Sequence, residues 1–220
     1  MTKVLITTWL CLVCLTSFAQ ANLAKDLAAV NHAYFQLNKK MTVKAVASNG
    51  DQKVETNYVA YMKNIDHYFM KSEGTEMLIS SSVKVVKNEA MNAIMIDSNA
   101  TNSIDELPIQ LFDTLTRLYS SVKHTKLQAG YERYELVPVV ERVKKIVVEF
   151  NSTTKLLRRM EMQAENETGQ ASYLTITYQY HDLVESDIPP ITHYLDFDTA
   201  GIAQLSAAYK NYKLINFLNR

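Results

Sequence analysis

Cysteine occurs only at Cys11 and Cys14, both within residues 1–21. Beyond that segment there is no thiol, which excludes disulfides, thiolate nucleophiles and cysteine metal centres there. Glycine is scarce, at 5 of 220 residues, and proline scarcer, at 4. That shortage argues against glycine-rich phosphate loops and long disordered linkers. A surplus of either charge is also missing, since Lys plus Arg is 23 and Asp plus Glu is 23. A chain so balanced carries no electrostatic footprint for nucleic acid. Neither a G-x-S-x-G elbow nor a Walker motif is present. The five histidines, His32, His67, His124, His181 and His193, form no pair with metal-ligand spacing.

What is present starts at the first residues. Lys3 gives a positive end, Val4 to Phe18 is almost unbroken apolar sequence, and Ala19-Gln20-Ala21 has the small-x-small cleavage pattern. Residues 1–21 therefore read as a secretory signal peptide. The run is short of the roughly 20 apolar residues a membrane span needs. The residues before Cys11 and Cys14 are not the small ones a lipidation site requires. The expectation is one mature domain, 22–220, periplasmic or secreted, with no transmembrane segment after signal cleavage. A chain of that length buries a core without covalent staples.

Leu23, Leu27, Val30, Tyr34 and Leu37 recur at helical spacing and predict an amphipathic helix. The period then changes to two. Met41 to Ser48 alternates, Asn49-Gly50 supplies a hairpin signal, and Val54 to Met62 alternates again. Further strands are expected at His67–Ser72, Thr75–Ser80, Val83–Lys87 and Met91–Ile96. Leu107, Leu111, Leu115, Leu118 and Val122, with Phe112 and Tyr119, return to helical spacing and predict a central helix. A second batch of strands follows: Tyr131–Val139, Lys144–Phe150, one starting at Leu156, and one over Ser172–Tyr180. Residues 198–208 read as a short helix or loop, and 209–217 as a strand or short helix. The expected fold is α+β: a curved antiparallel sheet, an incomplete β-barrel, covered by an N-terminal helix and a central helix.

Catalytic constellations are thin. His181-Asp182 are sequence neighbours, and neighbours on a strand point to opposite faces. Asp196 and Asp198 fall short of the roughly six oxygen ligands calcium takes. Glu161 with Glu165, and Glu132 with Glu135, resemble carboxylate pairs on exposed strands more than a pair flanking a cleft. Asn99, Asn151 and Asn166 each open a glycosylation acceptor triplet, relevant only to a eukaryotic chain. The reading is of a non-enzyme with no cofactor and no metal.

One softer feature remains. Tyr58, Met62, Tyr68, Met70, Met160, Met162, Tyr178 and Tyr180 recur on strand faces. Methionine suits surfaces that accept variable apolar partners, and tyrosine offers an apolar body with a polar tip. Such a face either holds acyl chains or an apolar peptide, or packs the helices against the sheet.

The order of elements resembles the LolA/LolB-type lipoprotein carriers. Residues 64–77, from Asn64-Ile65-Asp66-His67 to Met77, are similar to their early hairpin. Leu156 to Met162, followed by Tyr173 to Tyr180, is similar to their later one. The tryptophan-bearing strand and the arginine motif of better-known members have no counterpart here. The resemblance implies a periplasmic, chaperone-like carrier with an apolar half-barrel cavity for lipid or acylated protein. Tyr58, Met62, Met160, Met162, Tyr178 and Tyr180 would then be cavity walls, and Leu111, Phe112 and Leu115 part of a lid. The alternative is a cell-envelope accessory protein of the same fold that binds an envelope protein without transporting a ligand.

Overall fold

A computed structural model describes residues 22–34, 36–64, 67–80, 83–98, 119–166, 169–199 and 201–218. The expected signal peptide lies outside them. So does the centre of the expected second helix, with Leu111, Phe112 and Leu115. Among the described residues there is one α-helix, α1 (22–34). The strands are β1 (Lys39–Asn49), β2 (Gln52–Asn64), β3 (His67–Ser72), β4 (Thr75–Ser80), β5 (Val83–Asn88), β6 (Ala93–Asp97) and β7 (Tyr119–Lys126). They continue with β8 (Tyr131–Pro138), β9 (Val143–Asn151), β10 (Leu157–Glu165), β11 (Ala171–Asp182), β12 (Leu195–Phe197), β13 (Ala203–Leu205) and β14 (Lys213–Asn216).

Hydrogen bonding follows the order β14-β6-β5-β4-β3-β2-β1-β11-β10-β9-β8-β7, with β12 and β13 as a separate pair. The fold is therefore mostly sheet. A central helix is not part of what is described, and its expected last turn is corrected. Tyr119 and Val122 belong to β7, where Val122 lies opposite Leu136 of β8. Cross-strand pairing there overrides the helical spacing. The Asn49-Gly50 hairpin forms between β1 and β2, with Gly50 at φ +58°. Gly74 turns β3 into β4 at φ +69°, and its carbonyl accepts the Glu89 N–H at 2.8 Å.

Two compact units divide the described residues: 22–34, 45–55 and 119–178 form the first, and 36–44, 56–98 and 179–218 the second. In the first, Leu23, Leu27, Val30 and Tyr34 of α1 are buried, as their spacing requires. Asp26 lies beside that stripe. It accepts the Tyr134 hydroxyl at 2.6 Å and the Lys155 ammonium at 3.0 Å. These bonds set the helix against the face of β8, β9 and β10 that carries Tyr134, Val148 and Met160 in register. Leu157 joins this buried face, against the simple alternation. The register slips between Leu157 and Arg159, and that bulge turns Leu157 toward Phe150 and the core.

The opposite face of the first unit is charged. Glu149 lies between Arg133 and Arg159 across the strands, Lys145 pairs with Glu135 at 2.9 Å, and Arg159 pairs with Glu161.

The second unit is a meander, β2 to β6, with later chain packed on one face. Phe69, Leu78, Val85, Ile94 and Ile96 form a core with Tyr194, Leu195 and Ala203. The expected alternatives for 198–217 resolve into β13, a 3-10 turn at Ala207–Tyr209, and β14. β14 pairs with β6 in parallel, Ile215 opposite Met95.

Candidate functional site

The second unit brings together more of the sequence-marked residues than the first. Met62 lies directly opposite Tyr68, and Ala60 opposite Met70. Met70 in turn faces Met77 on β4, Met77 faces Val86 on β5, and Val86 faces Met95 on β6. Directly opposed residues share a sheet face. The outcome is one unbroken row, Ala60-Met70-Met77-Val86-Met95-Ile215, six strands wide. A second row, Met62-Tyr68-Ile79, runs alongside it. Both rows lie on the face opposite the Phe69 core, because Phe69 alternates with Tyr68 and Met70. Met62, Tyr68 and Met77 are buried, while Met70, Val86 and Met95 are half-buried. Tyr58 continues the same side of β2, and burial raises its hydroxyl above the usual tyrosine range.

Met77, Val86 and Met95 were missed by the sequence reading. They stand at alternate positions of expected strands, but only the register aligns them. Tyr180 is half-buried at the end of β11 in the second unit. In the first unit Met160 and Tyr178 are buried side by side, the Tyr178 hydroxyl 3.5 Å from the Met160 sulfur. Met162 shares their face, between Ile146 and Leu174.

The other face of the meander carries a polar clamp. Tyr194 donates to Glu76 at 2.8 Å, and Glu76 also meets Lys71 at 3.1 Å and Lys87 at 3.5 Å. Burial would raise the Glu76 carboxyl. The Tyr194 and Lys71 hydrogen bonds and the Lys87 charge outweigh that and hold it below the usual range. Burial likewise works against the Lys87 charge, but its bond to Glu89 and the charge of Glu76 raise it. Burial first, then the bond to Glu76, drive the Tyr194 hydroxyl far above the tyrosine range. Tyr209 stacks on Tyr194 with centroids 5.5 Å apart and shares a 3.0 Å hydrogen bond with His193 Nε2.

The carboxylate pairs weighed above are engaged in ion pairs. Glu161 is held by Arg159, Glu165 by Lys144 at 3.0 Å, Glu132 by His124 at 3.1 Å and Glu135 by Lys145. Asp182 meets Lys39 at 2.6 Å, and that hydrogen bond holds its carboxyl below the usual range. Asp198 accepts the Ile202 N–H at 2.8 Å within a turn. Among the described residues no three His, Cys, Asp or Glu side chains gather as metal ligands. Among them also, no helix is long and apolar enough to cross a membrane.

No known protein family matches the sequence, and no curated protein matches it either. Solved structures do. The chain is similar to an uncharacterized conserved protein from Thermus thermophilus, at 8% identity and TM-score 0.45, covering 87% of this chain and 97% of that one. It is similar to MucB, at 12% identity and TM-score 0.45, over 85% of this chain and 66% of MucB. A LolA superfamily protein from Nitrosomonas europaea matches at 12% identity and TM-score 0.34, over 76% of this chain and 96% of that one. The matches thus include the superfamily that the order of sequence elements resembles.

Proposed function

We propose that this protein is a non-enzymatic envelope carrier that holds an apolar ligand, a lipid or the acyl chains of a lipoprotein, on its methionine-rich face. The observation that carries the reading is the row Met70-Met77-Val86-Met95. Three thioethers in register across four strands make a wall that repacks around chains of different shape. Tyr58, Met62 and Tyr68 extend it. In the first unit Met160, Met162 and Tyr178 offer the same chemistry, with Tyr180 at the end of β11. Leu111, Phe112 and Leu115, outside the described residues, are proposed as the lid. Export by residues 1–21 places the protein in the periplasm on this reading.

Native mass spectrometry of protein purified from the envelope fraction tests it directly. Copurified lipid is expected. Met70→Glu should weaken binding of a fluorescent fatty-acid probe about tenfold or more, since it sets a charge on the apolar wall. Met70→Leu should retain binding. Absence of both bound lipid and probe binding would replace the carrier with an accessory protein that docks on an envelope partner.

A further inference from the structure

We propose that a cleft on the charged face of the first unit is a binding site for a neutral carbohydrate, a pyranose ring of a glycan. The cleft holds about 340 Å³, within the roughly 300–1,000 Å³ typical of ligand sites. It spans neighbouring strands. Lys145 and Val147 come from β9, Glu161 and Gln163 from β10, and Tyr173 and Thr175 from β11. Glu161 lies opposite both Val147 and Thr175, and Gln163 opposite both Lys145 and Tyr173. These side chains therefore share one face, in two parallel rows. Met162 and Leu174, the strand positions between them, also border the cleft.

The lining is mixed in a way that suits a sugar. Val147, buried between Glu135 and Glu161, gives an apolar floor. Tyr173 is 50% exposed, so one wall is an aromatic ring open to solvent. The face of such a ring is electron-rich and meets the C–H face of a pyranose. Around it stand hydrogen-bonding groups of both kinds. The Lys145 ammonium donates, the Glu161 carboxylate accepts, and the Gln163 amide and Thr175 hydroxyl do both. A sugar hydroxyl is likewise donor and acceptor at once. The charges are balanced within the sheet, Lys145 by Glu135 at 2.9 Å and Glu161 by Arg159. Neither has to leave its partner to meet a hydroxyl, since an ammonium has several donors and a carboxylate several lone-pair sites. A rim of one cation and one anion, each already balanced, favours an uncharged polyol over a carboxylate or an amine. The methionine row belongs to the second unit, so this site does not rest on it.

Titration with maltose, cellobiose and N,N′-diacetylchitobiose, followed by calorimetry and amide NMR, tests the site. At least one should bind with a Kd of about 1 mM or below, and shift the amides of residues 145–147, 161–163 and 173–175. The amine chitobiose and the dicarboxylate digalacturonate should bind more weakly than the best neutral disaccharide. Tyr173→Ala should weaken that binding about tenfold, and Tyr173→Phe, which keeps the ring, should retain it. Gln163→Ala, which removes hydrogen bonds from the cleft and leaves the ring, should also weaken it about tenfold. Met70→Glu should leave it unchanged, which separates this site from the carrier face. The assignment would be overturned by no binding of any of the three neutral disaccharides at about 10 mM, or by tighter binding of chitobiose or digalacturonate. Unchanged affinity in Tyr173→Ala and Gln163→Ala together, or loss of binding in Met70→Glu, would overturn it as well.

Discussion

The first unit covers one face of its strands with a helix, and the second covers one with irregular chain. The helix needs little outside help. Its backbone satisfies its own hydrogen bonds, and Asp26 ties it down through Tyr134 and Lys155. The irregular cover needs more anchors. Tyr194 bonds to Glu76, the Ser206 N–H to the Tyr194 carbonyl, the Ser206 hydroxyl to the His193 carbonyl, and β14 to the edge of β6. The opposite faces differ as well. That of the first unit carries paired charges around Glu149, whereas that of the second is an apolar row in which Met62, Tyr68 and Met77 are buried. On the proposed reading, the ligand-holding face is that of the second unit.

The sharpest way to break this comparison is to damage each cover separately. Leu27 and Leu78 are each 1% exposed. Leu27→Ala and Leu78→Ala should each cost about 2–5 kcal/mol in urea unfolding. Hydrogen exchange should show Leu27→Ala deprotecting β8 to β10 first, and Leu78→Ala deprotecting β3 to β6. Simultaneous loss of protection in both units would show that they do not fail independently.

Acid sharpens the comparison with a smaller effect. The folded Glu76 carboxyl titrates below its unfolded value of about 4.3. Its stabilisation is complete above that unfolded value and disappears as pH falls through the lower folded one. Exchange protection over residues 188–216 should therefore fall before that of α1 below about pH 4, and Glu76→Gln should flatten the dependence. Glu135 in the first unit is lowered too, first by its bond to Lys145. It is more exposed than Glu76, so screening leaves it a smaller share. The smallest effect belongs to the charged face. Glu161→Gln should change unfolding free energy by no more than about 1 kcal/mol, measured in the same urea titration.

Much of this was legible in the sequence. The stripe Leu23, Leu27, Val30 and Tyr34 states both the helix and its buried side, because helical neighbours are local. The Asn49-Gly50 turn and the strand His67–Ser72 follow from local chemistry in the same way. Three things were not legible. Leu157 turns inward only because a bulge shifts the register, and no residue type announces that. The cover of the second unit consists of three- and four-residue strands, too short for a period to form, and β14 finds its partner far back in the chain at β6. Glu76, Lys87 and Tyr194 read as ordinary surface residues until the fold assembles them. For the candidate site, the methionines themselves were visible, but their alignment was not. Met77 and Met95 gain meaning only once β3, β4, β5 and β6 are in register.

That alignment also makes the wall sensitive to oxidants. A thioether takes up oxygen to give a polar sulfoxide, which leucine at the same positions would not do. Met70 and Met95, the half-buried members, are the accessible ones. Peroxide or hypochlorite would thus turn a greasy surface wettable without cutting the chain, and a sulfoxide reductase would restore it.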